Sequence, residues 1–312
     1  MGSISVAERP RVLVTGASGQ LGGLTARCLL GSDASRRPVL MSRTPDRLAG
    51  LAEAGAELRF GDFDQPASLV RAFTGIDRLL VISTPDLLRR TEQHRSAIRV
   101  AAEVGVRHVI YTSCLRPEAT NPGLIASSHA ATESFLRESG LSWTICRESL
   151  YSEYQVAEAG QAVATGALAH NRGEGRIAYV SRANCAAVAA AILAGGGHDG
   201  EIHDVTGPDS FTASELAALY GELSGRQIGA VALDDEAFGE TIRASGVEDE
   251  HARLGVQLAV SLGRSVREGY MASRTDVVER LTASAPTTLR STLEADMSWA
   301  YAGVGARGAR SA

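Results

Sequence analysis

The stretch VTGASGQLGG, residues 14–23, decides the fold. It follows the apolar residues RVL and opens an amphipathic segment, so it predicts a β-strand, a tight turn and an α-helix in succession. Gly16 permits the tight turn, Gly19 lets the backbone approach a pyrophosphate, and Gly22 lets the helix pack closely on the strand. The helix N-terminus adds N–H donors and a partial positive charge. The stretch therefore predicts a dinucleotide-phosphate site, with a merely tight strand-to-helix turn as the alternative. The predicted phosphate contacts are Gly16, Ala17, Ser18, Gly19, Gln20 and Leu21.

The same succession of strand, turn and helix recurs through the first half of the chain. The apolar segments are RVLVTG (11–16), PVLMS (38–42), ELRF (57–60), RLLVIS (78–83), HVIYTS (108–113) and WTICR (143–147). A glycine stands before each of the last five, where a helix end favours a residue with positive φ. These glycines are Gly31, Gly55, Gly75, Gly105 and Gly140. Thr44-Pro45 and Thr84-Pro85 have the composition of helix starts. Short apolar strands that alternate with helices predict an α/β fold with a doubly wound parallel sheet of the Rossmann type.

The second half of the chain has a different pattern. A loop-rich passage over residues 148–175 precedes a predicted strand at 176–180, a helix at 182–194 and a strand at 201–207. Thr212-x-x-Glu215 fits a capping box, and the rest is mostly helical.

These patterns predict two domains. Residues 11–150 form the dinucleotide-binding Rossmann domain, and residues 151–300 form a smaller, mostly helical substrate-binding lobe, with a strand and a helix that return to the Rossmann domain. We expect the lobe to cap the carboxyl edge of the sheet and to form a substrate cleft with it. The ends, residues 1–10 and 301–312, are expected to be disordered.

Composition excludes several classes of protein. The 31 Lys plus Arg against 36 Asp plus Glu give a net charge of −5, which provides no long-range attraction to nucleic acid or anionic membranes. No apolar run approaches the roughly 18 residues of a membrane helix, and the first ten residues do not resemble a signal peptide. The cysteines, at positions 28, 114, 146 and 185, are widely spaced without a C-x-x-C pair, which is typical of core residues in a reducing compartment. We predict a cytoplasmic protein without a nucleic-acid or membrane partner.

The residues after the second strand indicate which dinucleotide binds. An NAD-dependent enzyme tends to place a carboxylate there for the ribose hydroxyls, whereas this chain has Ser42-Arg43. A guanidinium pairs with a 2′-phosphate through charge-assisted hydrogen bonds, so Arg43 favours NADPH over NADH. The alternative is a solvated surface arginine.

Further cofactor contacts are predicted after the third and fourth strands. Asp62 and Phe63 are expected to hold the edge and face of the adenine, and Ser83 and Thr84 to lie beside the nicotinamide-side ribose. Asp62 has an alternative role as a turn residue only.

Four longer segments resemble the NmrA-like group of atypical short-chain dehydrogenases/reductases, and within it the NADPH-dependent quinone oxidoreductases. They are VTGASGQLGG (14–23), HRSAIRVAAEVGVRHVIYTS (94–113), ATESFLRESGLSWTICRESLYSE (131–153) and DVVERLTASAPTTL (276–289). The resemblance spans about residues 11–295 and implies a Rossmann domain, NADPH, and reduction of quinones or related conjugated acceptors. The group also includes ketone reductases and cofactor-sensing regulators. One departure is Glu148-Ser149, where an Asn-Gly pair is expected, and it changes the shape of the pocket.

The resemblance also identifies the positions of the usual acid. Short-chain reductases use a Ser at the end of strand five and a Tyr-x-x-x-Lys on the following helix. Ser113 occupies the first position, but His129 and Glu133 stand where the Tyr and Lys are expected. Glu133 lies one helical turn from His129 and favours its imidazolium form, whose ordinary pKa near 6.5 suits an acid at neutral pH. The alternative is a polar pair on the rim of a helix with an apolar stripe of Leu124, Ala131 and Phe135.

Substrate chemistry determines how much the missing Tyr and Lys matter. Reduction of an isolated ketone forms an alkoxide, so loss of a placed acid costs roughly 10²–10⁴ in rate. Hydride addition to a quinone forms a phenolate-like anion of pKa about 10, which water or Ser113 can protonate. An aromatic ketone flanked by a phenol can use its own hydroxyl. The sequence therefore favours conjugated acceptors.

Tyr151, beyond strand six, is the candidate for stacking on the nicotinamide or a flat substrate, with a loop anchor as its alternative. Tyr111 is expected in the core, and His94 and His108 are assigned no chemistry.

We predict an NADPH-dependent reductase of a planar quinone or a phenol-flanked aromatic ketone, polyketides included, with direct hydride transfer and without flavin or metal. A non-catalytic regulator that senses NADP(H) is the alternative. The sequence does not determine the oligomeric state, and both a monomer and a homodimer are possible.

Overall fold

The structure is a computed structural model that describes residues 10–32, 37–244 and 250–301, with only the backbone described at 250–252 and 301. The ends predicted to be disordered therefore lie, apart from one residue each, outside the described residues. The strands are β1 (Val12–Val14), β2 (Val39–Ser42), β3 (Glu57–Phe60), β4 (Arg78–Val81), β5 (His108–Cys114), β6 (Ser142–Glu148), β7 (Ala167–His170), β8 (Glu201–Val205) and β9 (Gly229–Ala232). The helices are α1 (Gln20–Ser32), α2 (Ala49–Glu53), α3 (Pro66–Phe73), α4 (Arg90–Glu103), α5 (Ala126–Glu138), α6 (Tyr154–Thr165), α7 (Arg182–Gly195), α8 (Ala213–Ser224), α9 (Asp235–Arg243), α10 (Glu250–Arg267), α11 (Val277–Thr282) and α12 (Leu289–Ala295).

Seven strands form one sheet in the order β3-β2-β1-β4-β5-β6-β8. Leu13 of β1 lies opposite Val39 on one side and Leu79 on the other, and both pairings are parallel. The chain builds outward from β1 to β3 and then returns to place β4 on the other side of β1. This reversal creates the switch point at which doubly wound sheets bind ligands. The predicted parallel, doubly wound sheet is confirmed.

The strands form where the sequence is apolar on both faces, since helices cover both sides of a parallel sheet. Every residue of β1 and β2 is buried, whereas β3, at the edge, is only partly so. Each of the six predicted strands is present, with bounds within two residues of the prediction. Within the described residues, no helix is long and apolar enough to cross a bilayer, and none of the four cysteines forms a disulfide.

The chain divides into two compact units that interleave along the sequence. The first unit comprises the chain up to Thr112 together with Ala131–Cys146 and Ala186–His203, and the second unit comprises Ser113–Ala130, Arg147–Cys185 and the chain from Asp204. Apolar residues of the sheet fill the core of the first unit, among them Leu13, Leu79 and Ile98. Tyr179, Tyr220 and Trp299 contribute to the core of the second unit. The predicted division at residue 150 and the substrate-binding role of the later lobe stay predictions.

The second unit contains elements that the sequence prediction treated as loop. Residues 148–175 contain helix α6 and strand β7, and β7 pairs in parallel with β9. The prediction was wrong because α6 buries small residues, Ala159, Ala162 and Val163, which give a weak apolar pattern. The capping box is confirmed, since the Thr212 hydroxyl accepts the Glu215 N–H and the Glu215 carboxylate accepts the Thr212 N–H.

The predicted strand at 176–180 was also wrong in type, although these residues are buried. Ile177 forms an isolated antiparallel bridge with Phe211, and Val180 forms a parallel bridge with Tyr151. Because the segment changes partner along its length, no continuous ladder forms.

Two predicted helix boundaries were wrong as well. Gly31 lies inside α1, whereas Gly55, Gly75, Gly105 and Gly140 have the expected positive φ. Thr84-Pro85 precedes α4 by several residues, and that helix begins at Arg90.

Candidate nucleotide site and the buried carboxyl of the second unit

The turn after β1 has the geometry expected of a phosphate site. Gly16 has φ +59°, a conformation that favours glycine. A Cβ on Gly22 would lie 2.5 Å from the Gly16 carbonyl oxygen and 2.8 Å from the Ala17 Cα, so only glycine fits there. The first turn of α1 thus lies against the backbone of the glycine turn, where its N–H groups form an anion site.

The turn is fixed by bonds to both neighbouring strands. The Ala17 N–H donates to the Met41 carbonyl at 3.0 Å, and the Thr15 N–H donates to the Leu80 carbonyl at 3.1 Å. The Thr15 hydroxyl accepts the Ile82 N–H at 2.9 Å. The site is therefore preorganised within the first unit, so little ordering is needed when a ligand binds.

Arg43 follows β2 in the same unit. Its side chain is exposed, and it forms no ion pair or hydrogen bond with any residue that the structure describes. The preceding Ser42 hydroxyl donates to the Ser18 hydroxyl at 2.9 Å and accepts the Thr44 N–H at 2.9 Å. Position 42 thus presents a hydroxyl bonded to the glycine turn, with a cation beside it and no carboxylate.

Asp62 and Phe63 have local roles in the first unit. The Asp62 carboxylate accepts the Asp64 N–H and the Gln65 side-chain amide, both at 3.1 Å, which forms a turn before α3. Phe63 is 9% exposed and packs in the core. Their contacts with adenine stay a prediction.

The segment after β4 is held by a buried histidine. The Ser83 N–H donates to the Thr112 hydroxyl at 2.9 Å, and the Thr84 N–H donates to His94 Nε2 at 3.0 Å. The Thr84 hydroxyl is buried and makes no hydrogen bond within the described residues. A buried hydroxyl of this kind fits a polar ligand group, as the predicted ribose contact requires.

His94 has partners on both ring nitrogens. Nδ1 lies 3.1 Å from the Thr132 hydroxyl and 3.3 Å from the Tyr111 hydroxyl. Burial, and secondarily the Arg90 charge, lower the pKa of His94 to about 3. The ring is therefore neutral, and because Nε2 accepts from Thr84, Nδ1 carries the proton. No chemistry was assigned to His94, and the structure gives it a positioning role. Tyr111 is fully buried, as predicted.

Helix α5 does not present the predicted face. Leu124 lies before the helix and is 38% exposed, and Ala131 is exposed, so the predicted apolar stripe was wrong. The buried face of α5 is Ala126, His129, Thr132, Glu133 and Leu136. Polar residues occupy this face because they have partners there, with Thr132 bonded to His94 and Glu133 paired with Arg137 at 2.7 Å. His129 and Glu133 therefore lie on the buried face of the helix, and the alternative of a polar pair without a catalytic role stays open.

The predicted catalytic residues lie in the second unit. Ser113 is in β5 and 5% exposed, and His129 is in α5 and 3% exposed. Both residues have interaction partners in the structure. Their roles in catalysis stay predictions.

Glu148 is the functional candidate that sequence reasoning missed. It ends β6 and is 6% exposed. The half-buried Tyr151 donates its hydroxyl proton to Glu148 Oε2, whereas Oε1 makes no hydrogen bond within the described residues. Burial raises the pKa of Glu148 to about 7, although the Tyr151 hydrogen bond and the Arg182 charge oppose the shift. The available signal was the departure of RESLY (147–151) from the expected Asn-Gly pair.

Tyr151 was predicted either to stack on the nicotinamide or a flat substrate or to anchor a loop, and its surroundings have features of both roles. Its backbone bridges Val180, as a loop anchor would, and its ring stacks on Tyr154 with centroids 6.0 Å apart. The Arg182 guanidinium lies 4.5 Å from the ring centroid. Stacking on the nicotinamide or on a substrate stays a prediction.

Known proteins resemble this chain over most of its length. An NAD(P)H-binding family matches residues 16–195. Quinone oxidoreductase 2 of Escherichia coli (strain K12) is 33% identical over 238 residues, 76% of this chain and 83% of that protein. The crystal structure of an Escherichia coli NADPH-dependent quinone oxidoreductase complexed with NADPH has a TM-score of 0.85 at 31% identity and covers 91% of this chain and 99% of its own. The triphenylmethane reductase of a Citrobacter species has a TM-score of 0.83 at 29% identity and covers 91% of this chain and 98% of its own. The chain therefore belongs to the NAD(P)H-binding, NmrA-like family and is an NAD(P)H-dependent oxidoreductase.

Proposed function

We propose that this chain is an NADPH-dependent reductase of planar quinones or phenol-flanked aromatic ketones. The observation that carries the proposal is the glycine turn, in which Gly22 has no room for a side chain and the backbone is fixed to two strands. A bound nicotinamide cofactor supplies the hydride. Residues 16–21, Arg43, Ser83 and Thr84 are the proposed cofactor contacts.

The preference for NADPH rests on charge. The exposed guanidinium of Arg43 has no ion-pair partner among the described residues, and the adjacent position is a serine. A 2′-phosphate gains charge-assisted hydrogen bonds from such an arginine, whereas the hydroxyl of NADH does not.

The proposed substrate class rests on the residues at the acid positions. His129 and Glu133 stand where short-chain reductases carry Tyr and Lys, and both are buried. A conjugated acceptor takes up the negative charge as a phenolate-like anion, which is far easier to protonate than an alkoxide. Two similar proteins, named as a quinone oxidoreductase and a triphenylmethane reductase, act on conjugated acceptors according to their names.

The experiment is a turnover assay with NADPH and NADH against benzoquinones, naphthoquinones, phenol-flanked ketones and isolated ketones. We expect the highest kcat/KM with NADPH and a quinone or phenol-flanked ketone, and little turnover of isolated ketones. Gly22→Ala tests whether turnover requires the glycine turn. Tight NADPH binding without turnover of any acceptor would instead favour a non-catalytic regulator that senses NADP(H). The absence of Tyr and Lys at positions 129 and 133 is also consistent with that alternative.

A further inference from the structure

The second unit contains a buried carboxyl, that of Glu148, in which only one of the two oxygens accepts a hydrogen bond from the described protein. Oε2 of Glu148 accepts the Tyr151 hydroxyl, and Oε1 has no hydrogen-bond partner among the described residues. Ser149 and Ser152 follow closely in the sequence, and their buried hydroxyls also make no hydrogen bond within the described residues. Buried polar groups are normally paired, so an unpaired oxygen of this kind points to a polar ligand group.

The bond to Tyr151 also determines where the Glu148 proton resides. A carboxylic acid presents one O–H donor, and Oε2 is occupied as an acceptor, so the proton of the neutral acid is on Oε1. Burial raises the pKa of Tyr151 as well, so the phenol stays protonated and keeps donating to Oε2. The geometry therefore provides a proton donor on the side of the carboxyl that makes no bond with the described protein.

We propose that Glu148 is the general acid of the reduction and that Tyr151 is the residue that positions its carboxyl. This inference rests on the proposed function. Hydride from the reduced nicotinamide adds to the quinone, which yields oxidised nicotinamide and a hydroquinone monoanion. The O–H bond of Glu148 breaks, an O–H bond forms on the substrate oxygen, and the carboxylate regains its proton from solvent.

Other charged and titratable groups face this pair from neighbouring elements. Arg182, at the start of α7, lies over the Tyr151 ring and lowers the pKa of Glu148. Glu153 is 3.4 Å from the Arg182 guanidinium and neutralises part of its charge. Cys185, also on α7, opposes ionisation of Tyr151. Because only Arg182 among these groups favours the carboxylate, burial determines the protonation of Glu148 near neutral pH.

The test compares pH profiles of kcat for the wild type, Glu148→Gln and Tyr151→Phe. We expect wild-type kcat to fall as pH rises through about 7. Glu148→Gln should lose this dependence and lower kcat about 10²-fold for a phenol-flanked ketone at pH 6, with a smaller loss for a quinone. Tyr151→Phe should move the decline to higher pH, since the hydrogen bond that stabilises the carboxylate is lost. Glu153→Gln is the matched control, because it removes a carboxylate beside the same arginine but keeps the Glu148 acid. The decline should remain, displaced at most to lower pH because Arg182 is no longer partly neutralised.

Infrared difference spectra of the cofactor-free protein give a second readout. We expect a protonated-carboxyl band that disappears around pH 7 in the wild type. The band should be present in Glu153→Gln, with the same or a lower midpoint, and absent from Glu148→Gln. The acid is wrongly assigned if Glu148→Gln keeps the decline in kcat and His129→Gln abolishes it, or if no such band titrates. Absence of turnover by the wild type with every acceptor would overturn the proposed function as well.

A separate observation in the first unit points to a metal site. His198 Nδ1 lies 2.8 Å from Glu201 Oε2, and His203 Nε2 lies 3.1 Å from the same oxygen. Together these residues offer ligand atoms within 4.8 Å of one another. His203 is buried in β8, whereas His198 and Glu201 are open to solvent. Two imidazoles and a carboxylate with one open side form a donor set that suits zinc and similar divalent ions.

We infer that His198, Glu201 and His203 bind a divalent transition-metal ion, which would connect the loop after α7 to β8. This inference departs from the sequence prediction of no metal. An ion about 2.0–2.2 Å from three ligands needs ligand atoms roughly 3.3 Å apart, so the distances of 2.8 and 3.1 Å from Glu201 to the two histidines require only a small opening.

The test is calorimetric titration of the full chain with ZnCl₂, supported by the visible spectrum with Co²⁺. We expect binding of one ion per chain, an increase in Tm, and a loss of affinity of at least tenfold in His203→Asn and in Glu201→Gln. Asp199→Asn is the matched control, because it removes a neighbouring carboxylate that is not a proposed ligand and should keep the site. Equal binding by the wild type and both ligand variants, or no binding at all, would overturn the proposal.

Discussion

Substitution of Glu148 should change how stability depends on pH. The pKa of Glu148 is about 7 in the folded protein and 4.5 as its ordinary value, because burial disfavours the carboxylate. A pKa raised by folding contributes stability that is fully present below pH 4.5 and is lost as pH rises through about 7. The shift corresponds to about 3 kcal/mol, so between these limits the wild type should lose about 1.4 kcal/mol per pH unit relative to a variant without the carboxyl.

Glu148→Gln is the appropriate variant, since it keeps the side-chain shape and an acceptor for the Tyr151 hydroxyl but cannot ionise. Urea unfolding of both proteins from pH 4.5 to 8 gives the difference in their unfolding free energies, in which the other titrating groups cancel. We expect Glu148→Gln to gain about 3 kcal/mol on the wild type between the ends of this range.

The control is Glu153→Gln, which keeps the buried Glu148 carboxyl and should therefore still lose stability as the pH rises, as the wild type does. A difference between wild type and Glu148→Gln that is constant from pH 4.5 to 8 would show that Glu148 titrates normally. That result would refute the argument that burial outweighs the Tyr151 hydrogen bond and the Arg182 charge.

Other predictions concern the first unit. Arg43→Ala should raise the KM for NADPH about tenfold or more relative to the KM for NADH, because a charged hydrogen bond to the 2′-phosphate is lost. If steady-state kinetics show equal changes in both KM values, Arg43 does not bind the 2′-phosphate. Gly22→Ala should abolish NADPH binding in calorimetry because its Cβ has no space, whereas Gly23→Ala, whose Cβ would lie at least 3.5 Å from its neighbours, should bind normally. Because burial lowers the pKa of His94 from 6.5 to about 3, the wild type should lose stability relative to His94→Gln as pH falls below 6.5. Urea unfolding that gives the same free-energy difference between the two proteins at pH 7 and at pH 4 would contradict this.

The sequence predicted the sheet well because its signals are local. An apolar strand buried on both faces is apolar throughout, as in β1 and β2, and glycines with positive φ mark where several helices end. The capping box at Thr212 was predictable for the same reason, since both of its bonds join residues three positions apart.

The wrong predictions depend on contacts between residues distant in sequence. The buried face of α5 contains a polar histidine and a glutamate, and no periodicity of apolar residues identifies such a face. Ile177 and Val180 each bridge a different partner, so an apolar run that resembles a strand forms no ladder. The raised pKa of Glu148 arises from burial, which the letters RESLY do not reveal.

Burial and a shifted pKa do not by themselves mark a functional residue, and His94 and Glu148 show why. His94 is fully buried with a strongly lowered pKa, yet both its ring nitrogens have partners, so its role in holding the segment after β4 accounts for it. Glu148 leaves one oxygen without a partner in the described protein. Replacement of a poorly satisfied buried charge by a neutral side chain of similar volume is often neutral or stabilising, so stability gives no reason for a carboxyl there. A group that weakens the folded state and yet titrates near neutral pH is better explained by proton transfer than by structure.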